Sequence, residues 1–126
     1  MDRKRATISV ATLFALLGLG AAADASDVEA GKALYDMNCS SCHGMTGKGD
    51  GPISATLNPK PRDFSSGEFK FDADKNGTTG EDADLKLVIQ KGALAYGGSP
   101  LMTGWPTFKD DQIADVIAYI RSLAAK

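Results

Sequence analysis

Five consecutive residues, Cys39-Ser40-Ser41-Cys42-His43, carry the most specific chemistry in the chain. Two thiols separated by two residues, with an imidazole directly after the second, have the form that attaches c-type haem. Each sulfur adds to a porphyrin vinyl group, and the histidine reaches the iron. The spacing lets both sulfurs sit at one edge of the ring while the next residue projects beneath it. Other uses of these residues fare worse. A thiol–disulfide redox pair belongs in a βαβ setting, and the sequence shows none. A zinc site wants four ligands, and the chain has two cysteines and one histidine in all. A plain disulfide between Cys39 and Cys42 would leave His43 and the surrounding glycines without a purpose.

Haem iron has two axial positions, and with a single histidine a bis-histidine site within one chain is excluded. The sixth position therefore goes to another residue or stays open. Met1 falls in the leader described below, Met37 lies just before Cys39, and Met45 is tied to the His43 side. Met102 lies far down the chain in a Gly- and Pro-rich loop that can cross to the opposite face. It is the preferred ligand, ahead of a lysine or an open site.

These residues need a scaffold. A helical pattern begins at Ser26, with Val28, Gly31, Leu34 and Tyr35 on one face and Ser26-x-x-Glu29 as a capping box, and it delivers Cys39. After His43, Gly44, Gly47, Gly49, Gly51 and then Pro52 favour irregular backbone able to approach a flat ligand closely. Residues 57 to 82 show no sustained period and read as a long wrapping loop with Phe64, Phe69 and Phe71 turned inward. A short helix follows from about Asp82 to Lys91, with Leu85, Val88 and Ile89 inward and Gly92 at a left-handed C-terminal cap. The last helix has the clearest stripe: Ile113, Val116, Ile117, Ile120 and Leu123, capped by Asp110 or Asp111. Its expected partner is the first helix, with Gly31 facing the Tyr119 region so that the two cross closely. No strand alternation or internal repeat occurs, so the chain reads as all-α.

Composition bounds the rest. A chain of 126 residues with 43% apolar content suits one small domain. Fourteen basic against sixteen acidic residues make no phosphate-capturing surface, so nucleic acid is not an expected partner. The N-terminus has the three parts of a secretory signal: Arg3-Lys4-Arg5, an apolar run from Ile8 to Leu19, and Ala23-Asp24-Ala25. The apolar run is short of the roughly 17 to 25 residues that span a bilayer. Residues 1–25 are therefore expected to be a cleaved leader and 26–126 the working domain, with no stable membrane insertion after cleavage and a periplasmic location. Three modest helices and long loops make a marginal core, a deficit that a large flat apolar cofactor would fill.

Together, Gly31-x-x-x-Tyr35, Cys39-x-x-Cys42-His43-Gly44, the Gly-rich run to Pro52, the Met102 loop with Trp105, and Ile117-Ala118-Tyr119-Ile120 resemble class I bacterial c-type cytochromes over nearly the whole of residues 26–126. Pro61-Arg62-Asp63-Phe64 and Gly67-x-Phe69-Lys70-Phe71 are similar to a subgroup in bacterial respiratory and oxidative electron transfer. The resemblance implies a small fold of three or more helices with long loops around one covalent haem c. It also implies that the Pro52 carbonyl accepts a hydrogen bond from the second nitrogen of His43, and that Arg62 and Trp105 hold a haem propionate. Thr103 follows Met102 where such proteins often have proline, with Pro106 only later, which bears on the geometry of that loop.

A His/Met site suits reversible one-electron exchange, because both oxidation states keep the same six ligands and the filled axial positions block substrate. The expectation is a carrier between redox protein donors and acceptors, not an enzyme, with its oligomeric state open. Two alternatives stand beside it: the haem subunit of a larger periplasmic oxidoreductase, and a five-coordinate sensor or enzyme. Lys60, Arg62, Lys86 and Lys91 could cluster near the haem and set the sign of a docking surface. Asp72-Ala73-Asp74-Lys75-Asn76-Gly77 begins like a calcium loop, but Ala83 stands where the bidentate glutamate belongs, so it reads as a solvated acidic loop.

Overall fold

A computed structural model describes residues 25–124, so nearly all of the expected leader lies outside the described residues. Four helices make the frame: α1 (Val28–Asn38), α2 (Ser40–His43), α3 (Asp82–Lys91) and α4 (Asp110–Ser122), with short 3-10 turns at Ser54–Thr56, Phe64–Ser66 and Leu94–Tyr96. No strand occurs among the described residues, in line with the all-α expectation.

α1 crosses α4, and Gly31 is what lets it. A Cβ there would stand 1.9 Å from the Asp115 carbonyl oxygen, so even alanine would force the helices apart. The crossing lies one turn before the expected Tyr119 region. Tyr119 meets α1 further along, where its ring packs edge-on against Tyr35 at 5.0 Å. Tyr35, Ile113, Val116, Ile117 and Ile120 are buried between the two helices, while Val28, expected on the inner face, is 39% exposed. Leu85 and Ile89 of α3 complete the core with Phe64 from the long loop. Removing an aliphatic side chain of this kind from water is worth roughly 1.5–3 kcal/mol.

The α3 bounds match the sequence reading, while the caps of α1 and α4 fall next to the residues expected. Asp27, not Ser26, caps α1: its carboxylate accepts from the Glu29 and Ala30 amides, both at 3.0 Å. Its own amide donates to the Asp115 carboxylate at 2.7 Å, a tertiary bond to α4 that selects this cap. α4 starts after Lys109, whose amide donates to the Gln112 side chain at 2.9 Å, and Asp110 and Asp111 fall in the first turn. Carboxylates there still favour the helix dipole.

The wrapping loop is tied down at α3. Asp84 is buried, and its carboxylate accepts from the amides of Ala73 (2.6 Å), Asp74 (3.2 Å) and Glu81 (3.0 Å). Burial works to raise its pKa, but these amides outweigh that and hold it below the ordinary carboxyl value. Arg121 of α4 reaches the Asp82 carboxylate at 2.8 Å and the Gly80 carbonyl at 2.6 Å while covering the Phe69 ring. Phe64 is buried as expected; Phe69 and Phe71 are half-buried.

Candidate haem site

α1 ends at Cys39 and the single turn α2 follows at once, so Cys39, Cys42 and His43 share one tight segment. The His43 amide donates to the Cys39 carbonyl at 2.9 Å. The carbonyls at the end of α2 are then satisfied by the glycine-rich run: Gly51 donates to Cys42 at 3.1 Å and Gly49 to His43 at 2.8 Å. A Cβ on Gly51 would lie 2.2 Å from the Ser41 carbonyl oxygen. At Gly51 the missing side chain lets two stretches of the chain's own backbone approach closely. The Tyr35 hydroxyl, fully buried, donates to the Gly44 carbonyl at 2.7 Å and so ties the far side of the segment to α1.

His43 is held from two directions. Nδ1 lies 3.0 Å from the Arg62 carbonyl oxygen, which can only accept, so Nδ1 carries the proton and Nε2 keeps a free lone pair. The Phe64 ring stacks on the imidazole with centroids 4.4 Å apart and planes 17° from parallel. Burial lowers the imidazole pKa, and the Arg62 bond offsets this only in part, which favours the neutral form that binds metals. The carbonyl expected from Pro52 is thus supplied by Arg62, and Pro52 itself is exposed. The reason is the 3-10 turn at Phe64–Ser66, capped by Asp63 and fastened by the Phe64 amide to Gly47 at 2.6 Å, which brings the preceding carbonyl onto the ring. The Arg62 carbonyl left no mark in the sequence, because a carbonyl has no residue-type signature, and Phe64 was legible only as an inward-turned ring.

Burial pushes the Cys39 thiol up to about 12, with Cys42 adding to the effect. A thiol–disulfide redox pair wants a lowered value, so this environment disfavours that use. Both cysteines are free and half-buried.

Met102 lies in the loop after α3, and backbone contacts at the end of α3 anchor it. Ala93 donates to the Met102 carbonyl at 3.0 Å, and Trp105 donates to the Ile89 carbonyl at 2.8 Å. A Cβ on Gly104 would stand 2.3 Å from the Gln90 carbonyl oxygen, so the loop fits only without a side chain there. Gly92 has positive φ with extended ψ, not the left-handed cap expected, and faces the Met102 carbonyl. Trp105 is half-buried, 6.2 Å from Phe108. The Arg62 guanidinium is engaged by Glu68, whose carbonyl accepts from Nε at 2.6 Å, and Lys86 pairs with Asp110 at 3.0 Å. Of the four cations expected to gather near the haem, Lys86 is thus paired with an acid and Arg62 is held chiefly by a backbone carbonyl.

Around these anchors the chain leaves large apolar side chains uncovered. Ile53, whose amide donates to the Ser41 carbonyl, is 47% exposed, and Leu94 and Leu101, flanking the Met102 segment, are 66% and 63% exposed. Exposed apolar side chains on the loop that carries Met102 and on Ile53, together with a thiol pair and a buried imidazole on the α2 segment, suit a flat hydrophobic macrocycle bound covalently at one edge. The model of the family described as Cytochrome c matches residues 28–124. The chain belongs to the cytochrome c family. This cytochrome is 59% identical over 101 residues to cytochrome c-554(547) of Halothiobacillus neapolitanus, an alignment covering 79% of the chain and 99% of that protein. Among solved structures it is similar to a chain of the reducing HAO-like protein complex Kustc0457/Kustc0458 of Kuenenia stuttgartiensis. The TM-score is 0.63 at 33% identity, over 78% of the cytochrome but only 43% of that longer chain. Family membership brings a covalently bound haem c, with Cys39 and Cys42 in the attachment position, and a role in electron transfer with redox partners.

Away from the haem site, oxygens of Asp72, Asp74 and Asp84 come within 4.8 Å of one another. Of the acidic loop expected to be solvated, Asp74 is exposed and Asp72 half-buried; Asp84, which lies outside that loop, is buried and accepts from backbone amides. Among the described residues, no helix is long and apolar enough to cross a membrane.

Proposed function

We propose that this cytochrome is an exported, periplasmic one-electron carrier with His43 and Met102 as the axial ligands of its haem, and that it is not an enzyme. The observation that carries the reading is the setting of His43: it is buried, with Nδ1 committed to the Arg62 carbonyl, so that the Nε2 lone pair is left for iron. The haem supplies reversible exchange between ferrous and ferric iron. The chain's own contributions are to hold the imidazole in one tautomer, to present the Met102 thioether from a loop fastened to α3, and to keep water from the His43 side. A soft thioether and an apolar surround both favour ferrous iron and raise the potential. Arg62 and Trp105 remain the candidates for a propionate, Arg62 by exchanging its Glu68 contact.

Export is supported by the leader pattern in residues 1–25. A second reading, the haem subunit of a larger oxidoreductase, is favoured by the likeness to one chain of a multi-protein complex.

Absorption spectroscopy of protein matured in an export-competent host tests the ligand assignment. The expected ferric spectrum carries the weak far-red band of methionine–iron ligation, and the reduced protein does not bind carbon monoxide at neutral pH. Carbon monoxide binding, or absence of the band, would leave an open or lysine-filled sixth position. Size-exclusion of the protein drawn from its native source separates the two functional readings: the free carrier elutes at the mass of one chain plus haem, the subunit with its complex.

A further inference from the structure

The hydrogen bond and the ring stack constrain His43 to different degrees. Nδ1 lies off the line running from Nε2 through the imidazole, so the bond to the Arg62 carbonyl fixes tautomer and tilt and also opposes rotation about that line, though a single bond bends more readily than packed rings slide past each other. A flat ring at 4.4 Å and 17° blocks that rotation, because turning the imidazole drives its edge into the neighbouring face. Phe64 can act as a fixed wall. Its backbone is tied to Gly47, its ring is 7% exposed, and it is wedged between Tyr35, edge-on at 6.4 Å, and Phe69, stacked at 5.9 Å.

Resting on the reading of His43 as an axial ligand, we infer that Phe64 is a positioning residue that sets the rotational angle of the His43 imidazole about its bond to the haem iron. That angle has an electronic consequence. The imidazole π system overlaps one of the two iron dπ orbitals more than the other, according to the plane in which it is held. In low-spin ferric iron the unpaired electron then spreads unequally over the four haem methyl groups. The pattern of those methyl shifts is a direct readout of ring angle, which packing stability alone does not move.

Proton NMR of the ferric holoprotein tests this with three variants. Phe64→Leu keeps apolar bulk but removes the flat face, and is expected to reorder the four methyl resonances or contract their spread. Phe64→Tyr keeps the face and is expected to retain the wild-type pattern. Phe69→Leu loses comparable packing one ring further out, and is expected to lower stability while perturbing the methyl pattern less than Phe64→Leu does. Should Phe64→Leu fail to mature, Phe64→Met fills the same volume with a flexible chain and carries the same expectation. A wild-type methyl pattern in the Phe64→Leu or Phe64→Met protein, or an equal change in Phe69→Leu, overturns the assignment. Absence of shifted His43 ring protons in the wild-type protein itself would instead overturn the ligand reading on which it rests.

Discussion

The His43 segment and the Met102 loop, the two regions proposed to face the haem iron, are built by different means. On the His43 side, four separate constraints converge on a few residues: the turn α2, the Arg62 carbonyl, the Phe64 ring and the Tyr35–Gly44 bond. On the Met102 side the side chain is half-buried, and the named anchors are backbone bonds to Ala93 and Ile89 with Gly92 and Gly104 making room. Side-chain packing fixes a group in angle as well as position, whereas backbone anchors fix a loop and leave its side chain to find its own partner. On the proposed ligation, His43 is the ligand held by its own surroundings and Met102 the one expected to gain order from the iron.

The largest effect should come from the less constrained side. Met102→Ala is expected to abolish the far-red ferric band and lower the reduction potential by on the order of 0.1 V, a fraction of the ~0.8 V over which axial ligands move haem potentials. The thioether count by pyridine haemochrome should not change. A potential unaltered by this substitution would mean that the comparison has the wrong second ligand. Next in size is Gly104→Ala. Forcing a methyl against the Gln90 carbonyl costs about 1–3 kcal/mol of overpacking. In a urea titration the far-red band should vanish at lower denaturant than the helix signal, a separation that the wild-type shows less of. Coincident loss of both signals would show that the loop is not an independently weak unit.

The same contrast explains what the sequence made legible. Cys39, Cys42 and His43 are contiguous, so their spacing alone carried the chemistry, and the one-sided stripe of α4 named its own buried face. Gly31 was readable as a close crossing because only contact demands a missing side chain on an otherwise apolar face. The partners across space were not. The Arg62 carbonyl displaced that of Pro52, and the Phe64 stack was legible only as an inward-turned ring, because both depend on a 3-10 turn closed by a Gly47 bond between distant residues. The helix caps shifted by one residue for a like reason: Asp27 is chosen over Ser26 by its tie to Asp115.

Tyr35→Phe probes the rigid side at smaller cost. It removes one buried hydrogen bond and orphans the Gly44 carbonyl, a loss of about 1–2 kcal/mol, with the ring packing kept. The thermal midpoint should fall while the far-red band and the potential stay near wild-type, since the hydroxyl touches neither the imidazole nor Met102. A potential shift as large as that of Met102→Ala would show that the two sides are not separable.

The smallest effect concerns acid and reaches the site through α3. The Asp84 carboxyl is held below its ordinary value of 3.8 by the amides of Asp74, Glu81 and Ala73. A group depressed in the folded state stabilises above its unfolded pKa, and that contribution is lost as pH falls through the folded value. Amide exchange at Ala73, Asp74 and Glu81 should therefore quicken as pH drops below 3.8, beyond the intrinsic pH dependence of exchange, while amides of α1 and α4 lag behind. In Asp84→Asn the carboxylate is gone, so the same amides should be less protected at neutral pH and show little further acid response. Since α3 carries the anchors of the Met102 loop at its other end, the far-red band should weaken in acid before the His43 side yields. An acid transition that takes all three helices together would show α3 to be as firmly built into the core as the segment that holds His43.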